Sequence, residues 1–344
     1  MVENNKHNKH NKHNKEYKLD IVYTYVNNTD KKWFNKISKY HSLESFASSI
    51  SLQQVQRLRI RDRSYWEPLK KELDPARYNF FGEIYFSLLS VQKFFKWVHN
   101  IYIVHDDQPF QLDFLDTEFR KKIKFIDHKE IIPHKYLPVF NSEVIECFIW
   151  NIRNLSDYFI YLNDDIFFGN YIYYSDFFTD DNKFKIFYFK RNNYYPKNVL
   201  EKEPYLISNN SAELLFNKKF STDYHIKFLH VSFNLNKYVC KYTFHVFYDY
   251  LSRNFSSKFR KYDNSELSNS VNKITNFSFL HLCAMMMIYK KIAIPTTKIS
   301  YLIIQQLDNE NYEELLKKRP KIFNINQLYE EQLTLWNKLQ KMYF

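Results

Sequence analysis

The run Phe159-Ile160-Tyr161-Leu162-Asn163-Asp164-Asp165 is apolar and aromatic, and it stops on an amide and two adjacent carboxylates. At the carboxyl end of a strand in an α/β sheet, such acids stand together where ligands and divalent ions are held. Two carboxylates there can bind Mg or Mn through a few oxygens and leave the other coordination positions to a diphosphate and water. The chemistry this points to is metal-assisted handling of a nucleotide-sugar, with Asp164 and Asp165 as the metal ligands and Asn163 beside them. The plainer alternative is a polar turn after a buried strand, a place that Asp and Asn favour for their own backbone reasons.

Transfer of a phosphoryl group to a hydroxyl also needs a base within hydrogen-bond reach and a cation over the phosphate oxygens. His225 and His230 are candidates for the first role and Arg260, in Lys258-Phe259-Arg260-Lys261-Tyr262-Asp263, for the second. Isolated His and Arg residues more often serve packing and solvation, so these residue types alone leave the assignment open.

The elements that must position these groups can be read from hydrophobic spacing. Leu19 to Val26 is a buried-strand pattern, followed by the polar loop Asn27-Asn28-Thr29-Asp30 and helical spacing from Lys31. Glu83 to Trp97 places Ile84, Leu88, Val91 and Phe95 on one helical face, and Asn100 to Asp106 is a strand that ends in an acid. Lys124 to Asp127 is another short strand, Ser142 to Asn151 has helical spacing, and Tyr158 to Leu162 delivers the acid pair. Helices feeding parallel strands give an α/β fold: a mostly parallel sheet with flanking helices, of the kind that serves nucleotide-sugar transferases. Three strands are expected to finish in polar, acidic loops on one edge.

Beyond Gly169 the pattern is aromatic-rich and irregular, which predicts a largely helical elaboration packed on the core. Phe279 to Ile292 reads as an apolar helix whose Met285-Met286-Met287 cluster is a core face and whose His281 is a satisfied core histidine. Leu328 to Met342 has helical spacing with Trp336 and is expected to dock on the domain, a membrane surface being the other choice. The expected organisation is a disordered Lys/His/Asn tail at 1–16, an α/β core at 17–170, an elaboration carrying His230 and Arg260 at 171–300, and a closing segment at 301–344.

Composition limits the alternatives. Glycine occurs only at positions 82 and 169, so the glycine-rich cradles for dinucleotides and triphosphates are excluded and a nucleotide must be held by side chains, ordinary loops or a metal. A formal charge of +12 favours polyanionic partners without choosing among them. The basic residues are scattered and no zinc-knuckle or RNA-recognition signature is present, so nucleic acid is not the expected partner. Cys147, Cys240 and Cys283 are too few and too far apart for a disulfide framework or zinc cluster, which fits a reducing compartment. Without a signal-peptide pattern or a run of eighteen apolar residues, the expectation is a soluble or peripherally attached cytoplasmic protein, at the inner face of the cell membrane if attached.

Four stretches resemble the characteristic regions of the Stealth family, which includes bacterial capsule polymerases that transfer hexose-1-phosphate and the animal GlcNAc-1-phosphotransferase. Asp20 to Asp30 resembles the family's opening strand and its V-[DN]-G-[ST]-D loop. The second and most specific stretch runs from Arg77 to Phe178, with Glu83, Ser87 and Leu88, then Lys96 to Gln108, Leu137 to Ser142 with Glu146, and Phe159 to Gly169. In the third, Asn209, Asn210 and Leu214 to Phe220 precede His230, which matches the His of an H-x-P stretch, and Arg260 matches a later basic position. The fourth, Tyr301 to Tyr329, is a faint match.

The resemblance implies attack of an acceptor hydroxyl on the phosphate next to the sugar of a UDP-sugar, expelling UMP and building a phosphodiester-linked surface polysaccharide. On that reading Asp164 and Asp165 take metal and diphosphate, His230 is the base and Arg260 the phosphate clamp. Asn27 and Asp30 line the nucleotide pocket, with Arg77, Glu83, Asp106, Asn141, Glu146 and Asn209 as further substrate-binding candidates. The acceptor is an oligo- or polysaccharide, and the basic surface suits a polyanionic one. The chain departs from the pattern at Asn28 (Gly), Tyr85 and Leu89 (Arg), Glu143 (His), Asn151 (Arg), Ser232 (Pro) and Gln305-Gln306 (Asn-Asp). Leu and Tyr offer no substitute for a bidentate phosphate donor. A metal-dependent glycosyltransferase that releases UDP, and an inactive glycan-binding or regulatory protein, are the alternative readings.

Overall fold

A strand that is apolar on both faces needs cover on both, and the centre of this molecule is built from such strands. The computed structural model describes residues 16–40, 81–190, 205–259, 277–326, 328 and 332–343. In chain order its strands are β1 (Leu19–Thr24), β2 (Ile101–His105), β3 (Ile123–Asp127), β4 (Tyr158–Leu162), β5 (Ile166–Phe168), β6 (Phe184–Lys190), β7 (Ile226–Phe228), β8 (Phe233–Asn236), β9 (Ala293–Thr296), β10 (Tyr301–Ile304) and β11 (Ile322–Ile325). The helices that bear on the site are α1 (Lys31–Tyr40), α2 (Glu83–Phe94), α3 (Ser142–Glu146), α4 (Tyr205–Phe220), α5 (Lys237–Val246), α6 (Phe279–Tyr289), α7 (Asn309–Lys318) and α8 (Leu333–Tyr343).

The main sheet has the order β3-β2-β1-β4-β8. β1 to β4 are parallel, with Val22 opposite Tyr102 on one side and Tyr161 on the other, and β8 runs antiparallel to β4. The carboxyl ends of four strands therefore share one edge, as expected for β1, β2 and β4. Because β2 and β3 lie on one side of β1 and β4 on the other, strand order reverses at β1, which is where open α/β sheets form a ligand crevice. The opposite edge carries a different kind of acid. Asp20 is fully buried and accepts from the backbone N–H groups of Asn100 (2.9 Å) and Ser156 (2.6 Å), which ties the incoming loops together.

The second half interleaves helices with two three-stranded sheets, β10-β11-β5 and β7-β6-β9. Those short strands are beyond what hydrophobic periodicity resolves, and the pattern there reads as irregular. The helix expected to reach Ile292 ends at Tyr289, because Lys291 takes a left-handed backbone (φ 58°) and turns the chain into β9. Met285, Met286 and Met287 are all buried, and His281 is satisfied by Ser278 Oγ at 3.0 Å.

The closing segment reaches the middle of the molecule. β11 pairs antiparallel with β5, with Asn324 opposite Ile166, and α8 brings Trp336 to 4.8 Å from the ring of Phe86 and 5.6 Å from Phe167. Trp336 is buried, so α8 docks on the domain, and burial of such a ring contributes ~2–3 kcal/mol. Each of the two glycines has a positional reason. Gly82 enters α2 at φ 86°, and a Cβ at Gly169 would lie 2.5 Å from the carbonyl oxygen of Pro320.

Candidate active site

Leu162 ends β4 and the chain turns through Asn163, Asp164 and Asp165, closed by the Ile166 N–H on the Asn163 carbonyl (3.3 Å). The far side of this turn is pinned by α2. Ser87 Oγ donates to the Ile166 carbonyl (2.6 Å) and meets the Tyr23 hydroxyl (2.7 Å), while Ser90 Oγ accepts from the Phe168 N–H (3.0 Å). From the other direction the Ile325 N–H donates to the Asp165 carbonyl (3.2 Å). Glu83 stands one turn before Ser87, on the same face of α2. The helix that fixes the acid turn therefore also contributes a third carboxylate to it.

Two of these three carboxyls are raised. Burial pushes Asp164 well above the usual carboxylate range, and the charges of Glu83 and Asp165 push the same way. Glu83, only 8% exposed, is raised to about 7, again by burial first and with Asp165's charge adding, against the backbone N–H groups that favour its ionised form. One of these is the Phe81 N–H at 2.7 Å from Oε2. Asp165 is divided in its two oxygens: Oδ1 is buried with no hydrogen-bond partner, and Oδ2 lies 3.7 Å from His230 Nε2.

His230 sits in the turn between β7 and β8, and its neighbours Leu229 and Val231 are buried and hold it in place. Its own side chain is 43% exposed and reaches Asp165. Partial desolvation of the ring acts to lower its pKa, but the adjacent Asp165 carboxylate outweighs this and leaves it raised. His225, the other histidine weighed, is engaged by Glu213 (3.5 Å) and Asp223 (3.1 Å).

Glu146, at the end of α3, accepts from the Tyr161 hydroxyl (3.3 Å), which also meets Thr24 Oγ1 (2.8 Å), so it braces β4 against β1. Asn141 caps α3 through the Glu143 N–H (3.1 Å) and donates to the Phe259 carbonyl (3.4 Å). With the Phe140 N–H on the Lys258 carbonyl (2.9 Å), this fixes the chain one residue short of Arg260. Arg260 and Arg77 lie outside the described residues, as does residues 1–15 of the expected tail. Asp30 accepts from the Trp33 N–H (2.9 Å) at the start of α1, and Asn27 Oδ1 accepts from Thr29 (2.9 Å from N, 2.7 Å from Oγ1), so both shape the loop after β1. Asn209 is half-buried on α4.

Two of the substituted arginine positions face apolar surroundings. Tyr85 packs edge-on against Phe110 (5.1 Å) and Phe114 (5.2 Å), and Leu89 lies against the main core. Asn151 donates to the Ile131 carbonyl (3.2 Å), and Gln305 accepts from Asn326 (2.8 Å). Three residues of this edge are absent from the sequence-derived set: Lys36, whose Nζ is 2.7 Å from Asp106 Oδ1; Gln108, which exchanges two hydrogen bonds with the backbone of Asn27 (3.1 and 2.7 Å); and buried Asn324 on β11. A Lys on a polar helix and a Gln after a strand carry no spacing signal that would have singled them out.

Among the described residues, no three His, Cys, Asp or Glu side chains are grouped as a ready-made metal cage. The acid pair still fits a divalent ion of the Mg type, which takes one or two carboxylates and leaves its other positions to phosphate and water. Asp165 Oδ1 is a buried oxygen without a partner, and the mutual repulsion of Asp164, Asp165 and Glu83 is what a dication relieves.

The family description Stealth protein CR2, conserved region 2, matches residues 77–186. The chain is 31% identical over 318 residues to the capsular polysaccharide phosphotransferase fcs1 of Haemophilus influenzae, a match spanning 90% of this chain and 78% of that one. It is 36% identical over 172 residues to a capsular polysaccharide phosphotransferase of Neisseria meningitidis serogroup B, spanning 50% of this chain and 40% of that relative. Among solved structures, the galactosyltransferase LgtC in complex with donor and acceptor sugar analogues overlays at a TM-score of 0.40 and 10% identity, across 94% of this chain and 96% of that one. An overlay that loose bears on neither mechanism nor substrate.

Proposed function

The chain belongs to the Stealth family, and from that premise we propose that it is a sugar-1-phosphate transferase of capsular or surface polysaccharide synthesis, taking a hexose- or N-acetylhexosamine-1-phosphate from a UDP-sugar. The observation that carries the reading is the acid turn at the strand-order reversal, with the His230 ring 3.7 Å from Asp165.

In this scheme Asp164 and Asp165 would hold a divalent ion, Mg or Mn, which would neutralise charge on the diphosphate. Asp165 Oδ2, beside His230 Nε2, favours the tautomer with its proton on Nε2 and leaves Nδ1 to accept. The acceptor hydroxyl gives its proton to His230 Nδ1 as its oxygen bonds to the phosphorus next to the sugar. The bond from that phosphorus to the bridging oxygen breaks and UMP leaves with the electron pair. Asp165 then stabilises the imidazolium that has formed, the role a carboxylate plays behind a catalytic histidine. Arg260 would supply the cation over the phosphate oxygens; Phe259, the residue before it, is held by Asn141. Glu83 is the third carboxyl beside the turn, and its ionisation adds to the charge that the ion would offset.

The test is the product. Incubated with a panel of UDP-sugars, an oligosaccharide acceptor and Mg or Mn, the protein is expected to form a phosphodiester visible by phosphorus NMR. A product without phosphorus would instead establish glycosidic transfer, and no product with any donor would favour a binding protein.

A further inference from the structure

The carboxyl end of β2 carries a second buried acid that the acid turn does not use. Asp106 is 7% exposed; Lys36 Nζ holds Oδ1 at 2.7 Å, while Oδ2 is buried with no hydrogen-bond partner. Nearby in the fold, the loop after β1 holds Asn28, 3% exposed, with both amide atoms buried and without partners. Groups of this kind are costly to bury unless something completes them. We propose that Asp106 and Asn28 form the subsite that binds the ribose hydroxyls of the donor nucleotide. This rests on the nucleotide-sugar reading and adds to it the residues that tell a ribose from a deoxyribose.

Three features of the architecture point this way. The loop after β1 and the end of β2 are clamped together by Gln108, which accepts from the Asn27 N–H (3.1 Å) and donates to the Asn27 carbonyl (2.7 Å), so Asn28 and Asp106 are held on one stretch of the edge. β2 lies two strands from β4, so the two sites are ~10 Å apart at the usual strand spacing, the reach from a nucleoside's sugar to its diphosphate. In dinucleotide-binding sheets with the same reversal at the first strand, an acid beyond the first strand-to-helix turn meets a ribose hydroxyl; this chain lacks their glycine turn and shares with them only the acid at the neighbouring strand's end.

The donor and acceptor inventory also matches. A vicinal diol donates and accepts: one hydroxyl donates to Asp106 Oδ2, and an oxygen accepts from Asn28 Nδ2. Lys36 fixes the carboxylate from its other oxygen, so its orientation is set before a ligand arrives. Behind it, His128 is fully buried and its pKa is pushed down to about 4 by burial, against the pull of Asp106 and Asp127. It is therefore neutral near pH 7 and does not compete for the carboxylate as a cation.

The experiment is calorimetric titration of the full chain, with Mg present, using UMP, CMP, GMP and AMP and the 2′-deoxy and 3′-deoxy forms of the tightest binder. Loss of a hydroxyl that meets a buried charged acceptor is expected to weaken binding about tenfold or more. In Asp106→Asn the ribose preference is expected to fall to about threefold or less, with the deoxynucleotide affinity kept; Asn28→Ala is expected to lower it in the same direction. Thermal melts show that each variant is folded. Equal binding of ribo and deoxy forms by the wild type, or a preference unchanged in both variants, overturns the assignment alone. Loss of ribo and deoxy binding together in folded Asp106→Asn overturns it too, because the acid then acts on some other part of the ligand. Failure of every nucleotide to bind overturns the donor reading and this assignment with it.

Discussion

Replacing Glu83 by Gln is expected to stabilise the protein at neutral pH while damaging the site. Glu83 is buried, and burial together with Asp165's charge raises its pKa from the ordinary 4.5 to about 7. A folded state that binds its proton more tightly than the unfolded chain loses stability as pH climbs between those two values. The contribution is intact below about pH 4.5 and gone above about pH 7, and at 1.36 kcal/mol per pH unit the full difference is about 3 kcal/mol. Gln removes the ionisation and keeps an oxygen for the Phe81 N–H. Thermal or urea unfolding of wild type and Glu83→Gln in chelated buffer, at pH 4.5 and pH 8, isolates this term from the rest of the molecule. The variant is expected to gain about 3 kcal/mol on the wild type between those pH values, on the order of 5 °C in Tm. Saturating Mg should narrow the gap by stabilising the wild type more. A variant that is less stable than wild type at pH 8, or one whose difference from it is the same at both pH values, would refute the description of the site as a cluster of repelling, desolvated carboxylates.

The other predictions concern the proposed base, the chain's second glycine and the tail. His230→Ala should slow single-turnover transfer by about a hundredfold or more; an unchanged rate removes it as the base. In Asp165→Asn the His230 ring loses the charge that raises its pKa, so its NMR titration should move to lower pH, and an unmoved titration would break the pairing. Gly169→Ala brings a Cβ against the Pro320 carbonyl and should cost about 1–3 kcal/mol in urea unfolding, whereas an unchanged midpoint would mean the closing segment yields freely. Removal of residues 1–15, a polar Lys/His/Asn repeat, should leave turnover unchanged, and a large loss would assign the tail a role in the site.

What was legible in the sequence follows from the range of each interaction. Tyr158 to Leu162 is a continuous apolar run that stops on acids, so the strand, its end and the position of Asp164 and Asp165 on the ligand edge could be read from local pattern alone. The face of α2 that holds Ser87 and Ser90 against β5 could not, because it depends on a three-residue strand that has no periodicity of its own. Likewise Lys36 and Asp106 are 70 positions apart, and only the folded sheet brings them together. The closing segment, a faint match in sequence, lies beside the acid turn because β11 pairs with β5. The second half carries the expected helices, and between them lie β6 to β11, short runs whose pairing local pattern does not show.

The most direct test of the central claim is the identity of the released nucleotide as a function of divalent ion, for wild type and Asp165→Asn. The account predicts UMP from a UDP-sugar, rising with added Mg or Mn, abolished by chelation and absent in a folded Asp165→Asn variant. UMP released at wild-type rate in chelated buffer, or UDP in place of UMP, would contradict it.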